Sequence, residues 1–327
     1  MFEEIGLLGN IAILIASLLI LDRASDLTIT NSVKIAEIAG YGRTTIGFIL
    51  VAFCTSLSAL SVSFFSVITE ENVGVAIGNA IGSNIVNICL ILGVCFVMAA
   101  LKKLDHVALL PSLAKEEIGS LYFGLFVASI IPLALIYIGF ASRLIGVLLL
   151  VIFAIYTYQL SRTRAVKEEG ALGGEKQNVN KYALLLSVGV AVVVVVSYFI
   201  VYSASYIAMV LGVQQVVIGA TVVAFGTSIP VMMAGIHAVQ RGHLDLTLGN
   251  IVGACFLDTT LILGITLIVS PLRIEMAVFS SLVMFSVIAN LFLWYFLSSE
   301  KISWREGAVL LFLYLLFLTI SLSGYKA

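Results

Sequence analysis

Ten apolar segments, each close to the length that crosses a bilayer, recur along the chain and leave little of it for anything else. They cover approximately 6–21, 44–68, 74–101, 118–139, 143–160, 182–203, 214–239, 245–270, 275–297 and 306–323. A membrane-spanning helix needs about 20 predominantly apolar residues, so this pattern predicts ten such helices. The stretch between the first two segments, 22–43, is mixed in character. It either extends the first helix or lies at the membrane interface.

The composition agrees with a polytopic membrane protein and argues against other classes. Of the 327 residues, 61% are hydrophobic and 11% are charged, whereas a soluble domain carries about 25% charged residues. A net charge of −1 provides no basic field for nucleic acid. The sequence contains no catalytic Ser/His/Asp set, phosphate loop or HExxH motif, so neither an enzyme nor a cofactor is expected. The four cysteines lie in apolar runs and are interpreted as buried packing residues.

The distribution of lysine and arginine predicts the orientation. With the N-terminus outside, fourteen of the 17 basic residues lie in inner connections, and only Arg143, Arg273 and Lys326 lie outside. This positive-inside bias predicts a cell-membrane protein with both termini outside. The longest polar stretch, 162–181, is interpreted as a cytoplasmic linker between an N-terminal half, 1–161, and a C-terminal half, 182–327.

The two halves contain a repeated pattern. The first copy begins with IGFILVAFCTSLSAL at Ile46 and the second with IGATVVAFGTSIPVM at Ile218, an offset of 172. A second matching pair, GNAIGSNIVNICLILG at Gly78 and GNIVGACFLDTTLILG at Gly249, has an offset of 171. The copies thus cover 44–101 and 214–270. Five predicted helices separate them, and an odd number gives the copies opposite orientations, as in secondary transporters that bind substrate at the repeat interface.

The repeats place polar side chains inside predicted spans, where unsatisfied groups are costly. Pro230 should interrupt its helix and release backbone carbonyls near Thr227 and Ser228. Carbonyl and hydroxyl oxygens suit hard cations such as Na⁺ or Ca²⁺. The alternative is that small hydroxylated residues simply allow close helix packing. Two inverted copies favour a binding site, whose candidate side chains are Thr55, Ser56, Ser58, Ser83, Asn84, Asn87, Thr227, Ser228, Asp258, Thr259 and Thr260.

Asp258 is the only one of the 18 acidic residues that lies deep in a predicted span. A lone carboxylate inside the membrane is a functional-site hypothesis by default. The alternative is a protonated Asp258 that hydrogen-bonds Asn87 or a hydroxyl group.

At these motifs the chain resembles the calcium/cation antiporter superfamily, which comprises the sodium/calcium exchangers and their prokaryotic relatives. The resemblance implies an all-α polytopic membrane protein with ten transmembrane helices arranged as two inverted five-helix repeats. It also implies that Ala52 and Ala224 offer backbone carbonyls to sodium. The remaining ion ligands that carry over from the family are Thr55, Ser56, Ser83, Asn87, Thr227, Ser228 and Asp258.

The resemblance has a gap at its centre. The family's repeat core reads GTSLPE, and its two glutamates are the central calcium ligands. Ala59 and Val231 occupy those positions here, and Ala254 replaces a family serine. Ca²⁺ usually takes six to eight oxygens, several of them from carboxylates. With Asp258 as the sole anion, bound Ca²⁺ would leave about one positive charge uncompensated, whereas Na⁺, K⁺ or H⁺ would be neutralised.

Three functions follow as hypotheses. The first is a cation exchanger that works by alternating access, coupled to Na⁺ or H⁺, with weakened or absent Ca²⁺ binding. Its 6–21 and 182–203 helices would slide against the rest. The second is the same scaffold transporting a less charged, organic or lipidic solute. The third is a non-transporting sensor or assembly partner. The expected partners are the lipid bilayer and small cations (Na⁺, H⁺ or Ca²⁺), and the oligomeric state stays open.

Overall fold

The computed structural model describes residues 2–38, 52–68, 73–101, 115–139, 142–163, 179–240, 242, 244–269, 276–298 and 303–323. These residues are almost entirely helical, as the apolar runs predict. The helices are α1 (Phe2–Ile38), α2 (Ala52–Ile68), α3 (Val73–Leu101), α4 (Lys115–Ile138), α5 (Arg143–Thr163), α6 (Val179–Leu211), α7 (Gln215–Thr227 and Ile229–Gln240), α8 (244–269), α9 (Met276–Ser298) and α10 (Trp304–Ser323).

Most of the described helices have the length and apolar character of membrane-spanning helices. Seven of them are long and apolar enough to cross a bilayer, or eight if the two parts of α7 form one span. The described parts of α2 and α5 are apolar but shorter. The predicted start of the second span, 44–51, and most of the predicted linker, 164–178, lie outside the described residues.

Two helices extend well beyond the spans predicted for them. α1 continues to Ile38, so the mixed stretch after residue 21 lengthens the first helix as far as that residue. α6 begins at Val179 and ends at Leu211, eight residues past the predicted end at 203. A helix satisfies its backbone hydrogen bonds internally and can therefore leave the apolar layer without a break.

Two apolar cores hold the helices together. The larger core packs α3 and α8 against α4, α7, α9 and α10, and the cysteines Cys89, Cys95 and Cys255 are buried in it as predicted. The smaller core joins α1 to α6 along their length and includes Val62 of α2, Val75 of α3, and Ile218 and Val223 of α7. Leu18 of α1 lies directly over Gly226 of α7, where any side chain would collide with it. The α1–α6 pair is therefore packed as a unit beside the repeat helices.

Helices α3 and α7 cross at very short range. A Cβ atom on Gly78 would lie 2.8 Å from the Ala220 nitrogen, and one on Gly82 would overlap the Ala220 backbone. On the facing helix, a Cβ atom on Gly219 would lie 2.9 Å from the Val75 Cα. Small residues at this spacing allow two backbones to touch, as in tightly packed membrane helices. This contact joins the first repeat to the second.

Candidate functional site

Helix α7 is broken where proline predicts a break. Its two parts, Gln215–Thr227 and Ile229–Gln240, meet at an angle of 44° around Ser228. Pro230 has no N–H group and cannot continue the helical ladder. The Ser228 N–H keeps the ordinary helical bond to the Ala224 carbonyl four residues back, at 3.1 Å, and the Thr227 hydroxyl donates to the same carbonyl at 3.3 Å. The carbonyl that resemblance assigns to sodium is thus hydrogen-bonded within α7 in this structure.

A buried hydrogen-bond network surrounds this break. The Asn79 amide group donates to the Ala59 carbonyl at 3.3 Å and to the Ser63 hydroxyl at 3.4 Å. The Asn79 Oδ1 accepts from the Thr227 hydroxyl at 2.9 Å, and the Ser58 hydroxyl donates to the Thr227 carbonyl at 2.9 Å. All five residues are buried. The network connects α2, α3 and α7 through one asparagine.

A second polar region forms where α3 meets α8. The Asn84 amide nitrogen donates to the Thr259 hydroxyl at 3.0 Å. Asn87 and Asp258 hold equivalent positions at the repeat offset of 171. Both lie in short π-helical stretches, Val86–Leu92 and Asp258–Ile262. Such π-turns change the direction of side chains and are frequent at functional sites.

Several buried oxygens of this second region have no hydrogen-bond partner. Asp258 is the only buried carboxylate among the residues whose burial is described, and its Oδ1 is unpaired. The other unpaired oxygens on α2 and α3 belong to Ser56, Ser83, Asn84 and Asn87. Buried polar atoms are normally hydrogen-bonded, so a group of unpaired acceptors requires an explanation such as an ion or water. Every atom of this group offers lone pairs rather than a charged donor.

Ser56 is the residue of α2 that borders this region. It lines a small, partly open cleft together with Leu57 and Leu60 of α2 and Leu257, Leu261 and Ile262 of α8. Because Leu257 directly precedes Asp258, the cleft runs beside the helix that carries the carboxylate. Thr55, the preceding residue on α2, is buried, and its carbonyl lies 3.2 Å from the Ser58 hydroxyl.

The positions at which the family pattern is lost are apolar in the structure. Ala59 forms a small buried cluster with Ala80 and Ile262, and Val231 lies in the larger core. Ala254 is also buried. Ala52 begins the described part of α2, and its side chain is not among those described. No group of three or more His, Cys, Asp or Glu side chains that could hold a metal ion occurs within the described ranges.

Sequence reasoning missed Asn79 as a site residue, although the structure gives it a central place. The available signal was the recurrence of a Gly-Asn pair as Gly78-Asn79 and Gly249-Asn250 inside predicted membrane helices. That recurrence was used only to align the repeats. A polar amide that lies inside a predicted membrane helix in both copies of a repeat is a signal of a functional position.

The chain matches a known family over most of its length. The family described as "Sodium/calcium exchanger protein" matches residues 9–161 and 181–323. The sodium/calcium exchanger MaX1 of Methanosarcina acetivorans is 29% identical over 95% of this chain and 98% of its own length. An uncharacterized membrane protein of Methanocaldococcus jannaschii is also 29% identical, over 95% of this chain and 97% of its own length.

Two solved exchangers share the fold. The sodium-calcium exchanger NCX_Mj, soaked with Na⁺ and Sr²⁺, superposes with a TM-score of 0.68 at 27% identity and covers 96% of this chain and 99% of its own. An H⁺/Ca²⁺ exchanger, CAX, superposes with a TM-score of 0.78 at 19% identity and covers 96% of this chain and 82% of its own. At that lower identity the second likeness concerns the fold alone.

Proposed function

This chain is an integral membrane protein that belongs to the sodium/calcium exchanger family, and on that premise we propose that it exchanges cations by alternating access. The proposed coupling ion is Na⁺ or H⁺, with weakened or absent Ca²⁺ binding. The proposed site consists of Asp258 and Asn87 with oxygens of Thr55, Ser56, Ser83, Thr227, Ser228, Ala52 and Ala224.

One observation carries this proposal. Asp258 has an unpaired Oδ1 and belongs to α8. This helix contacts α3, which carries the unpaired oxygens of Ser83, Asn84 and Asn87. A carboxylate inside the membrane must be neutralised by a proton, a cation or a basic side chain. No lysine or arginine is buried among the residues whose burial is described. A proton or a bound cation is therefore the neutralising partner, and exchange between the two would couple their movement.

The charge of the site argues for a monovalent ion. Ca²⁺ binding usually involves several carboxylates, whereas Ala59 and Val231 offer none. A divalent ion on Asp258 alone would keep about one net positive charge in a low-dielectric region, which costs several kcal/mol. Na⁺ or H⁺ on the same carboxylate leaves the site neutral.

The proposed frame is ten transmembrane helices in two inverted five-helix repeats. Gly74 of α3 lies beside Gln215 of α7, and Gly82 lies beside Ala220 further along. The two helices thus begin at the same membrane face and run in the same direction. Because α8 follows α7, it begins at the opposite face, so the equivalent helices α3 and α8 are antiparallel. The lysine and arginine distribution supports a cell-membrane location with both termini outside.

Ion titration of the purified protein tests the site. We expect Na⁺ to raise the thermal midpoint of the wild type in detergent, by an amount that falls as the pH is lowered and protons compete. Asp258→Asn should abolish this Na⁺ effect and ion-coupled flux in proteoliposomes. Asp26→Asn, which alters an exposed carboxylate of α1, is the matched control and should keep both. Unchanged flux in Asp258→Asn would rule out this carboxylate as the carrier.

A second candidate, transport of a less charged or organic solute, draws on the apolar surroundings of Ala59 and Val231. Thermal-shift screening with neutral solutes alongside cations separates the two candidates. Stabilisation by cations alone would exclude the second candidate. Stabilisation by neither class, together with no flux, would favour a non-transporting sensor or assembly partner.

A further inference from the structure

Asn79 and Asn250 occupy the same position in the two repeats, yet only one of them is hydrogen-bonded. The Asn79 side chain is fully buried and contacts both α2 and α7 through Ala59, Ser63 and Thr227. Asn250 is 6% exposed, and neither its Oδ1 nor its Nδ2 has a hydrogen-bond partner. The asymmetry therefore lies between equivalent residues of nearly equal burial.

A buried amide that makes no hydrogen bond is energetically unfavourable. We therefore expect Asn250 to be hydrogen-bonded in a second conformation of the protein. The repeat offset of 172 identifies the groups that would be the partners of Asn250. The Thr227 hydroxyl corresponds to the Thr55 hydroxyl, and the Ala59 carbonyl corresponds to the Val231 carbonyl. α8 already packs against α2 and the second part of α7, and the Thr247 hydroxyl donates to the Gly235 carbonyl at 3.2 Å. The helix that carries Asn250 therefore adjoins both helices that carry these groups.

The two asparagines lie in opposite halves of the membrane. Asn79 is in the second turn of α3, near the face at which α3 and α7 begin, which we call the first face. Asn250 is in the second turn of α8, near the second face, at which α8 begins. In this structure the helices near the first face are joined by the Asn79 network, whereas those near the second face lack the equivalent bonds. The positive-inside pattern assigns the first face to the outside.

We propose that Asn79 and Asn250 are alternating latches of the transport cycle. When the first face is closed, Asn79 joins α2, α3 and α7, as it does here. When the second face is closed, the Asn79 bonds open and Asn250 joins α8 to Thr55 and to the Val231 carbonyl. This inference rests on the proposed alternating access. It assigns a positioning role to two residues outside the ion site.

The sequence makes the two latches unequal. Asn79 has the Ser63 hydroxyl as an additional partner, and the equivalent residue in the second repeat is Gly235. The Ser58 hydroxyl holds the Thr227 carbonyl, whereas the equivalent Pro230 has no donor. The first latch therefore has more hydrogen bonds than the second can form.

Cysteine labelling at a matched pair of positions tests the latches. Val67, in the last turn of α2, and Val239, in the last turn of α7, are related by the offset of 172 and are both buried. Val67→Cys reports on the first face and Val239→Cys on the second. Labelling with a small maleimide, read peptide by peptide by mass spectrometry, leaves the native cysteines in place.

Asn79→Ala should increase the labelling of the first-face reporter about fivefold to tenfold and decrease that of the second-face reporter, because it removes two to three hydrogen bonds of one state. Asn250→Ala should shift the reporters in the opposite direction. Asn290→Ala is the control, because the Asn290 amide donates to Ser129 at 2.9 Å, outside the repeats. It should leave the ratio of the two reporters unchanged.

Other outcomes would overturn the inference. If Asn79→Ala exposes both reporters together, Asn79 only stabilises the fold. If both asparagine variants shift the ratio in the same direction, or neither shifts it, the latches do not alternate. Should Asn79→Ala fail to fold, Asn250→Ala still tests the inference, because it breaks no observed hydrogen bond. Labelling requires no transported ion, so a switch in the reporters alongside unchanged flux in Asp258→Asn would separate a correct latch from an incorrect ion site.

Discussion

Helices α3 and α8 hold equivalent places in the two repeats, but their surroundings differ. α3 lies against α7 through Gly78 and Gly82, and its Asn79 is hydrogen-bonded to two other helices. α8 carries the same Gly-Asn pair, but its Asn250 is buried without a hydrogen bond. The matching residue does not decide the hydrogen bonding by itself.

The neighbours of each asparagine account for the difference. Ser63 and Ser58 supply hydroxyl groups around the first, whereas Gly235 and Pro230 occupy the equivalent positions around the second. The shared motif places an asparagine at the same position of each repeat, and the residues that the two repeats do not share determine whether that asparagine is hydrogen-bonded in this structure. A few sequence differences between the two halves therefore account for the different hydrogen bonding of the two asparagines.

The largest effect should come from the contact between α3 and α7. A Cβ atom at Gly82 would overlap the Ala220 backbone, so Gly82→Ala must push the two helices apart. We expect a loss of about 3 kcal/mol in the free energy of unfolding, typical of severe overpacking. Unfolding in mixed detergent micelles, monitored by circular dichroism, measures it.

Gly119→Ala provides the control, because a Cβ atom there meets nothing within 4 Å. Its stability should stay unchanged or rise slightly, since alanine favours helices. Equal losses in both variants would mean that the close crossing has no special role in stability, and the contrast between α3 and α8 would then rest on hydrogen bonds alone.

Much of the fold was predictable from periodicity and hydropathy. The apolar runs correctly predicted helices throughout the described residues, and Pro230 predicted the break in α7. The length of α6 was underestimated, and the extension of α1 past residue 21 was one of two alternatives left open, because a hydropathy pattern detects the apolar layer and not where a helix ends in water. The ten-helix inverted arrangement stays a prediction, which the parallel course of α3 and α7 supports.

The candidate site was harder to predict. Polar residue types inside spans identified Asp258 and Asn87, and the structure places their helices in contact through Asn84 and Thr259. The Asn79 network could not be derived, since it depends on which helices cross and at what height. A sequence offset gives equivalence between residues but no distances between them. The ion-binding roles of these side chains remain predictions.

Alanine variants of the two asparagines should differ in the direction of their effect on the free energy of unfolding, and the effect should be of intermediate size. Asn79→Ala leaves the Thr227 hydroxyl and the Ala59 carbonyl without their side-chain partner, and should lower the free energy of unfolding by about 2 kcal/mol. Asn250→Ala removes an unpaired buried amide and should leave stability unchanged or raise it. Thermal midpoints in one detergent give the comparison. A similar loss in both variants would mean that Asn250 is hydrogen-bonded in solution, and the contrast between the repeats would disappear.

The smallest effect should come from Ser58, which braces the break in α7. The two parts of α7 meet at Ser228, and the neighbouring Thr227 carbonyl accepts a hydrogen bond from the Ser58 hydroxyl. Ser58→Ala should therefore cost about 1 kcal/mol. Ser197→Ala is the matched control, because the equally buried Ser197 bonds only the Val193 carbonyl one turn back in its own helix. That carbonyl lies within a continuous helix, so Ser197→Ala should lower the free energy of unfolding by less than Ser58→Ala does. If the two serine variants lose the same stability, the bond between α2 and α7 adds nothing beyond a local one, and the packing of α2, α3 and α7 depends on Asn79 and the glycine contact.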